Sequence, residues 1–386
     1  MTPPPSTPTA PPPAARRPRI GVDFHTFDGL FQGSRSHLFG LYREAIAKAP
    51  AFDFVFFVGD PARLRSADPA FCAANVRCEA APHGGGLARL GWQLRALQRH
   101  HGLDLLHVQY RGPLFPAGPL AVTVHDTLFE THPQFFGANF VRMARFTGRR
   151  AVRQAALLFT VSRFSRDEIA RLYGIDPARI AITGNGVDTR RFHPAPGGEA
   201  AVQALGLASG GYLCTVGRLE PRKNHGGLIR AYARLPQPRP PLVVIGQRDF
   251  SHDEAFAEVA RLGLAAEVRF LERVDDDALP ALLRHAKVFV YPSFAEGFGM
   301  PVLEAMASGV PVLTSNTTAL AEVAQGAALT ADPADPAAIA AGLQRLLDDP
   351  ALRAQCVRDG LAVAATHRWS TAADALVAAY SGYFAR

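Results

Sequence analysis

Cysteine is scarce in this chain, which has four cysteines among its 386 residues. Cys72, Cys78, Cys214 and Cys356 have neither the spacing of metal ligands nor that of a disulfide framework. Cys214 falls within an apolar, strand-like run, so we expect its side chain in the core. This usage suits a reducing compartment. We therefore expect the protein in the cytoplasm, either free or at the inner face of the cytoplasmic membrane.

Long hydrophobic runs are also missing. No apolar stretch approaches the roughly 18 residues that a membrane-spanning helix requires. Residues 1–18 contain seven prolines within the first thirteen positions and lack the apolar core of a secretion signal. The pair Arg16-Arg17 lacks the hydrophobic stretch that a twin-arginine signal requires. We therefore expect residues 1–18 to form a disordered tail.

Acidic residues are few in the first half of the chain. Residues 1–200 hold 24 Lys and Arg against 15 Asp and Glu, a net charge of +9, whereas residues 201–386 hold 17 against 19, a net charge of −2. A basic half favours an anionic partner, such as a membrane surface or a phosphate-bearing acceptor. Nucleic acid is not expected as a partner, because we find no RNA- or DNA-binding motif and no run of basic residues.

Apolar strand-like runs alternate with helical patterns along most of the chain, which predicts parallel sheets covered by helices on both faces. The length suits two domains, each with its own core. We predict an α/β fold with two Rossmann-like domains, at 19–193 and 211–366, that face each other across a cleft. Residues 194–210 are predicted to be a linker, and 367–386 to hold a last helix. Second-domain helices are predicted to begin near Asn224, His252, Asp277 and Pro301.

The stretch Tyr291–Val312, YPSFAEGFGMPVLEAMASGVPV, has the pattern of a strand end, a glycine-bearing loop, a short helix and the next strand. Pro301 suits the first helical position, and Gly309 suits the left-handed residue that closes a helix. This places Glu296 in the loop and Glu304 in the first helical turn. Free N–H groups at the helix N-terminus and in the loop favour binding of phosphates or hydroxyls; the loop amides are those of Gly297, Phe298 and Gly299.

Each glutamate alone also fits a solvated or helix-dipole carboxylate. Together, within EGFGMPVLEAM, they form a Glu-x7-Glu pattern that closely resembles the donor-site signature of the family 4 glycosyltransferases, retaining enzymes of the GT-B fold. The resemblance spans about residues 19 to 380. It implies that Glu296 contacts the transferred hexose and Glu304 the nucleotide ribose. It also implies that the last helix crosses back onto the first domain.

The segment Gly217–Asn224 is expected to border the cleft, because ligands of doubly wound folds bind at the carboxyl ends of strands. Arg218 and Lys223 put two cations beside a helix N-terminus, which suits a diphosphate and equally fits an ordinary basic loop. The pattern GR-x-E-x-x-KN resembles the family's diphosphate-binding motif, which implies that both cations stabilise the leaving group. We expect Asn224 to cap the helix that follows.

His125-Asp126 ends another predicted strand on the cleft side. These residues alone also fit a histidine that bonds a backbone carbonyl and an aspartate that stabilises a turn. The segment VHDTLFETHP resembles the HD-x-x-F-x-x-x-P segment of mannosyl- and rhamnosyl-type members, which implies that His125 lies near the donor sugar. The strand end Phe270–Val274 resembles the one whose backbone meets the base, so Val274 is a candidate for that contact.

Two loops carry further expectations. Gly33, in the loop Gln32–Arg35, is expected to bring backbone N–H groups to the diphosphate, although Ser34 stands where family members often have a second glycine. Asp275–Asp277 is expected to cap a helix and not to bind a metal ion. Asn185-Gly186 is predicted to be a turn with positive φ.

The acceptor side has three candidates after a first-domain strand: His107, Tyr110 and Arg111. Tyr110 also fits simple packing.

At about 100° per residue, the helix predicted at Leu87–Arg99 has its leucines, including Leu87, on one face. The opposite face carries Trp92 and arginines, a combination typical of surfaces that contact lipid headgroups. Trp92 fits equally well a position beneath another helix or on the wall of the acceptor cleft. The arginines of this face are Arg89, Arg95 and Arg99. Four more arginines would extend the basic surface if they lie on the same side of the domain: Arg142, Arg145, Arg149 and Arg153.

The predicted activity is transfer of a hexose, with retention, from a nucleoside diphosphate sugar to a glycan or lipid-linked glycan, in surface polysaccharide or glycolipid synthesis. GDP-mannose is the preferred donor and rests on the HD-x-x-F segment alone, so UDP- and dTDP-sugars remain open. Neither a cofactor nor a metal ion is expected. The alternatives are a synthase that makes a small free glycoside and a non-catalytic nucleotide-binding Rossmann protein. The missing G-x-G-x-x-G fingerprint argues against a dehydrogenase.

Overall fold

The computed structural model describes the chain in five ranges, 16–28, 33–81, 85–249, 253–275 and 277–386. Residues 1–15 of the predicted tail lie outside these ranges, as do Gln32, His252 and Asp276. Within the described residues, no helix is both long and apolar enough to cross a membrane.

Two parallel sheets form the centres of two α/β domains. The strands of the first domain are β1 Arg19–Asp23, β2 Asp53–Val58, β3 Val76–Ala80, β4 Leu105–Gln109, β5 Leu120–Thr123, β6 Ala155–Thr160 and β7 Ile180–Ile182. The strands of the second domain are β8 Leu213–Val216, β9 Leu242–Ile245, β10 Val268–Leu271, β11 Val288–Tyr291, β12 Val312–Ser315 and β13 Leu329–Ala331. The strand orders are β3-β2-β1-β4-β5-β6-β7 and β10-β9-β8-β11-β12-β13.

Helices cover both faces of the sheets. In the first half of the chain they are α1 Gly33–Lys48, α2 Pro61–Ala67, α3 Gly86–Ala88, α4 Leu94–His100, α5 Leu128–Thr131, α6 Ala138–Gln154, α7 Arg163–Tyr173 and α8 Glu199–Ala204. In the second half they are α9 His225–Tyr232, α10 Asp253–Arg261, α11 Leu279–Arg284, α12 Met300–Ala307, α13 Thr318–Ala324, α14 Pro336–Asp348, α15 Pro350–Thr366 and α16 Trp369–Phe384.

The strand order positions the loops that matter for function. All five residues of β4 are buried, as are all four of β11, because helices cover both faces of each sheet. Each sheet reverses its winding beside its first strand, β1 or β8. At such a point the carboxyl ends of neighbouring strands open a crevice that binds ligands. The predicted α/β fold of two Rossmann-like domains is therefore confirmed.

Helix α16 returns to the first domain, as predicted. Its Leu376 and Tyr380 are buried in the same core cluster as residues of α1 and β2. The Tyr380 hydroxyl lies 2.7 Å from the Tyr42 hydroxyl and 2.7 Å from His107 Nδ1. His107 Nε2 lies 2.7 Å from the Thr123 hydroxyl. The prediction that His107 faces the acceptor is therefore wrong, because its ring is buried in the core and both ring nitrogens are hydrogen-bonded to these hydroxyls.

The segment predicted to be a turn at Asn185-Gly186 has a different role. The positive φ lies at Gly184, at 73°, and not at Asn185 or Gly186. A Cβ on Gly186 would lie 2.2 Å from the backbone nitrogen of Trp369, so glycine is needed there for close packing. Asn185 Oδ1 lies 2.7 Å from His37 Nδ1. The segment therefore holds the beginning of α16 against the first domain.

Several short elements were not predicted: β3, β7, β13, α2, α5, α8 and α13. The 17-residue helix α15 was not predicted either. Strand β3 is an edge strand with little apolar alternation, VRCEA, and β7 has only three residues. Helix α8 lies within the predicted linker, and its Val202 is buried in the core of the second domain. The domain boundaries themselves stay predictions.

The helix predicted at Leu87–Arg99 contains a π-helical turn at Arg89–Gln93, between α3 and α4. Such a turn contains one residue more than an α-helical turn, so the helix segments before and after it point their side chains in different directions than a regular helix would. Leu87 is therefore 74% exposed, whereas Arg89 is 8% exposed and ion-pairs with Asp23. The predicted faces are wrong at these two residues. Trp92 is 66% exposed, so it does not pack beneath another helix.

Candidate functional site

One cavity of about 520 Å³ is lined by residues of both domains. All ten residues that the sequence singled out for catalysis or donor binding lie on its wall. Those of the first domain are Gly33 and His125. Those of the second domain are Arg218, Lys223, Val274, Glu296, Gly297, Phe298, Gly299 and Glu304.

Glu296 is buried in the loop between β11 and α12. Its Oε1 accepts hydrogen bonds from Lys223 Nζ at 2.7 Å, from the Tyr291 hydroxyl at 2.9 Å and from the Ser293 hydroxyl at 2.7 Å. Its Oε2 lies 2.8 Å from Arg222 Nη1. Four donors, two of them cationic, hold this carboxylate as an anion in one orientation.

The charges in this cluster determine its protonation. Burial by itself would raise the pKa of Glu296, but the charges of Arg222 and Lys223 outweigh burial and bring that pKa to about 2. Burial, followed by repulsion from Arg222, lowers the pKa of Lys223. Burial opposes the charged form of Arg222 as well, yet Glu296 and Glu220 raise its pKa overall. The cluster therefore supplies a fixed anion with two buried basic side chains beside it.

Arg222 is a residue that sequence reasoning missed. It stands between Pro221 and Lys223, and only 14% of its side chain is exposed. Besides Glu296, its guanidinium donates to Ala295 O at 2.8 Å and to Glu220 Oε1. The available signal was a third basic residue inside the same motif, two positions after a glutamate. Its contacts indicate that it orients Glu296.

Arg218 occupies a more open position at the end of β8. Its Nη1 lies 2.8 Å from Asp249 Oδ2, its Nη2 lies 3.5 Å from Glu220 Oε2, and 34% of its side chain is exposed. A Cβ on Gly246 would lie 1.9 Å from Gly217 O, so the loops after β8 and β9 are in direct contact. This close contact fixes the backbone next to Arg218 at the cavity wall.

Asn224 does not cap α9 with its side chain, contrary to the prediction. It has a left-handed φ of 58°, and its side chain forms no capping hydrogen bond with the helix. Its Nδ2 donates to Pro292 O at 3.0 Å and to Pro333 O at 2.7 Å. These bonds tie the loop that carries Lys223 to the loop that carries Glu296.

Helix α12 begins at Met300, one residue earlier than predicted, so Pro301 takes the second helical position. Glu304 is therefore the fifth helical residue and lies beyond the first turn, although it still lines the cavity. Gly299 has φ 107°, and a Cβ there would lie 2.6 Å from Leu320 Cδ2. The left-handed closure predicted at Gly309 is confirmed by its φ of 74°.

The loop at Gly297 packs directly on the first domain. A Cβ on Gly297 would lie 2.6 Å from His125 O, so only glycine allows this approach. The Ser162 hydroxyl donates to Gly297 O at 2.7 Å, and the Ser165 hydroxyl donates to His125 O at 2.8 Å. These contacts hold His125 of one domain in a fixed position relative to the Glu296 loop of the other.

His125 is buried, with 8% of its surface exposed at the cavity. Its Nε2 donates to Gln109 Oε1, because an amide oxygen can only accept. This bond leaves the lone pair on Nδ1. Burial, with smaller contributions from His37 and His107, lowers the pKa of His125 well below 6.5. The ring is therefore neutral near pH 7 and can accept a hydrogen bond from a sugar hydroxyl.

Asp126 and Tyr110 form a second polar pair on the first-domain wall. The Tyr110 hydroxyl donates to Asp126 Oδ2 at 2.9 Å, and Asp126 Oδ1 accepts from Leu128 N at 3.1 Å. Burial raises the pKa of Asp126. Asp126 thus stabilises the turn after β5, as the alternative interpretation of the sequence proposed for it.

The remaining predicted contacts lie at open parts of the wall. Gly33 begins α1 and lines the cavity, and a Cβ there would meet no atom of the described residues within 4 Å. Val274 lines the cavity together with Leu271 and Leu279. These three side chains form an apolar surface of the kind that a planar base requires.

Of the aspartates before α11, the two that the structure describes, Asp275 and Asp277, do not cap that helix with a side chain. The N-cap residue is Ala278, and the backbone carbonyl of Asp275 accepts from Ala278 N at 2.9 Å. Asp276 lies outside the described residues. Across the part of the chain that the structure describes, no group of three His, Cys, Asp or Glu side chains is arranged to hold a metal ion.

Two family profiles match this chain. One, described as "Glycosyl transferases group 1", matches residues 203–362, and the other, described as "Glycosyltransferase Family 4", matches residues 54–191. The first match contains the Glu296 loop and the motif with Arg218 and Lys223, and the second contains His125. The two matches fall within the two domains described above.

Similar proteins agree with these matches. O-antigen chain mannosyltransferase B of Escherichia coli is 37% identical over 300 residues, which is 76% of this chain and 77% of the relative. Among solved structures, sucrose-phosphate synthase from Thermosynechococcus elongatus superposes with a TM-score of 0.76 at 22% identity, covering 96% of this chain and 100% of that one. Anabaena HepE in complex with UDP-glucose gives a TM-score of 0.75 at 20% identity, covering 94% and 99%. The chain therefore belongs to the family 4 glycosyltransferases and has their GT-B fold.

Proposed function

We propose that this glycosyltransferase moves a hexose, with retention of configuration, from a nucleoside diphosphate sugar to an acceptor hydroxyl. The observation that carries the proposal is the buried Glu296, fixed by Lys223 and Arg222 on the wall of a cavity that both domains line. Cations that face a leaving diphosphate stabilise the charge that develops on it. A carboxylate held in one orientation positions the sugar by accepting hydrogen bonds from its hydroxyl groups.

Each wall of the cavity has a distinct task in this mechanism. Lys223 and Arg218 bind the diphosphate and stabilise its charge as the glycosidic bond breaks. Glu304 binds the ribose, and the apolar surface at Val274 receives the base. His125 accepts a hydrogen bond from the hexose through Nδ1. The donor diphosphate requires no metal ion in this scheme, because the protein's own cations supply the positive charge.

GDP-mannose is the donor we propose. Support comes from the HD-x-x-F segment at His125-Asp126 and from the similarity to a mannosyltransferase over three quarters of the chain. The proposed acceptor is a glycan or lipid-linked glycan of surface polysaccharide or glycolipid synthesis, at the inner face of the cytoplasmic membrane. The name of that relative, an O-antigen chain enzyme, supports this acceptor class.

A panel of donors tests the proposal. Thermal shift and release of nucleoside diphosphate are measured with GDP-mannose, UDP-glucose, dTDP-rhamnose and NAD. We expect GDP-mannose to give the largest shift and acceptor-dependent release of GDP. Transfer to free glucose or fructose phosphate would identify a synthase of small glycosides instead. Binding without nucleotide release from any donor would identify a non-catalytic protein, and a response to NAD alone would contradict the family assignment of the site.

Replacement of His125 by alanine is expected to lower kcat roughly tenfold or more, because one hydrogen bond to the sugar is lost. The affinity for the nucleoside diphosphate should stay within about twofold, since the ring does not face the phosphates. The ratio of wild-type to variant kcat should be constant between pH 6 and 8, because the low pKa of His125 keeps it neutral there. Steady-state kinetics and calorimetric GDP titration measure both quantities.

His132→Ala is the matched control, because His132 is partly buried and does not line the cavity. It should leave kcat unchanged. If His125→Ala weakened GDP binding as much as it lowered kcat, His125 would have a structural role and the assignment would be wrong.

We also propose that the first domain docks on an anionic membrane surface. Helix α6 exposes Phe146, at 64%, on the same face as Arg142 and Arg153. Phe115, 61% exposed, joins this face to α4, because Arg150 lies 5.5 Å over its ring and Arg95 donates to its carbonyl oxygen at 2.8 Å. Exposed aromatics among arginines match a bilayer headgroup region in polarity and charge. Arg149 contributes less, since it pairs with the buried Glu130 at 2.7 Å.

Co-sedimentation with vesicles tests this surface. We expect binding to phosphatidylglycerol vesicles that fades with salt, at about 1 kcal/mol for each arginine near the surface. Trp92→Ala should weaken binding roughly fivefold, and Leu205→Ala, which removes an exposed apolar side chain of the second domain, should not change it. Equal sedimentation with neutral and anionic vesicles, or none with either, would contradict the proposal.

A further inference from the structure

Arg111 differs from the other cations on the cavity wall. Arg218, Arg222 and Lys223 each form an ion pair with a carboxylate. Arg111 also lines the cavity and is half-buried, yet no carboxylate in the described ranges forms an ion pair with it. A partly buried guanidinium without a counter-charge is costly unless something else compensates it.

The backbone holds Arg111 in place. It is the second residue after the end of β4, and the residue between them, Tyr110, has a left-handed φ of 55°. Non-glycine residues in this region are strained and concentrate at functional sites. The strain is sustained because the Tyr110 hydroxyl donates to the partly buried carboxylate of Asp126 at 2.9 Å. Arg111 is therefore positioned before any ligand arrives.

The surroundings of Arg111 are cationic and apolar. Burial, followed by the nearby charge of Arg89, lowers the pKa of Arg111. Arg89 itself is neutralised by Asp23, so it does not compete for a ligand in the cavity. The guanidinium of Arg111 lies 5.9 Å over the ring of Phe140. Aromatic rings continue this wall, since Phe136 stacks on Phe140 at 5.9 Å.

We propose that Arg111 binds a phosphoryl group of the acceptor, with the apolar part of that acceptor lying against Phe140 and Phe136. A guanidinium matches phosphate oxygens with two parallel hydrogen bonds. The first domain carries this subsite, whereas the donor diphosphate is assigned to Arg218 and Lys223 of the second. This inference rests on the proposed glycosyltransferase activity, because only that activity makes the bound ligand an acceptor. The phosphoryl group belongs either to a lipid phosphate or to a sugar phosphate.

Binding of two probes, dodecyl phosphate and mannose 1-phosphate, tests the subsite without turnover. Calorimetric titration in the presence of saturating GDP compares the wild type with Arg111→Gln, Arg111→Lys and the exposed-surface control Arg179→Gln. We expect Arg111→Gln to weaken at least one probe roughly tenfold or more and Arg111→Lys to weaken it less. GDP affinity and the melting temperature should not change. Tighter binding of dodecyl phosphate identifies a lipid phosphate, and tighter binding of mannose 1-phosphate identifies a sugar phosphate.

Kinetics provide the second measurement. With dodecyl phosphate-linked mannose and neutral dodecyl mannoside as acceptors, the wild type should have the lower KM for the phosphorylated one. Arg111→Gln should remove this preference while the donor KM stays the same. Equal affinity of wild type and Arg111→Gln for both probes would overturn the proposal. If no donor released nucleotide, the proposed function would fail, and the loss of probe binding in Arg111→Gln would still establish the anion subsite.

Discussion

Lys223→Met is expected to lower kcat on the order of 10²-fold or more, because it removes a buried cation that stabilises the leaving diphosphate. Arg218→Gln should have an effect of similar size for the same reason. Both variants should keep their fold. Without Lys223, Glu296 retains Arg222 at 2.8 Å, and Arg218 is one-third exposed. Steady-state kinetics with circular dichroism melting separate the loss of rate from a loss of structure.

Lys48→Met is the control for Lys223→Met. It removes a lysine of the first domain whose ion pair with Asp374 lies at the surface, and neither residue lines the cavity. Surface pairs contribute about 0 to 1 kcal/mol, so neither kcat nor stability should change much. If Lys223→Met had the wild-type kcat, the proposed role of Lys223 in stabilising the leaving group would be wrong.

Glu296→Ala should lower kcat most severely of all the single changes, because it removes contacts to the moving sugar and releases Arg222 and Lys223 from their positions. Loss of a buried pair that leaves cations uncompensated costs about 3 to 5 kcal/mol of stability. Glu296→Gln keeps the shape and isolates the effect of charge. Glu304→Ala, which loses ribose contacts, should instead raise the donor KM more than it lowers kcat.

The pH dependence of stability checks the state of Glu296. Its pKa falls from 4.5 in the unfolded chain to about 2 in the folded protein. A depressed pKa means that the stabilisation is complete above about pH 4.5 and is lost as the pH falls towards 2. The stability difference between wild type and Glu296→Gln should therefore shrink across this window. Full activity of Glu296→Ala, or a difference that does not change with pH, would contradict the assigned role.

The sequence predicts the donor side of the cavity well, because its signals are local. Glycines with no room for a side chain, such as Gly297, and the motif around Lys223 follow strand ends whose order a doubly wound fold determines. These patterns predict only that the residues lie near each other. Their individual roles come from the resemblance to the family. The ion pairs of Glu296 required the structure, since Arg222 and Lys223 lie more than 70 positions away along the chain.

The failures have physical causes that no short pattern contains. His107 lies within the expected strand, but its ring contacts Tyr42 and Tyr380. Tyr380 belongs to α16, at the opposite end of the chain. A regular helix would place Arg89 on the exposed face with Trp92, and the π turn that buries Arg89 has no clear sequence signal. Tertiary contacts override local periodicity in both cases.

Release of nucleoside diphosphate in the presence of excess EDTA tests the central claim, that the protein's own cations stabilise the leaving group during sugar transfer. The measurement uses the active donor, an acceptor, and the wild type beside Lys223→Met. We expect the wild-type rate to be unaffected by EDTA and the variant rate to fall on the order of 10²-fold. A wild-type rate that vanished with EDTA and returned with Mg²⁺ or Mn²⁺ would contradict the claim and return attention to Asp275 and Asp277 as metal ligands.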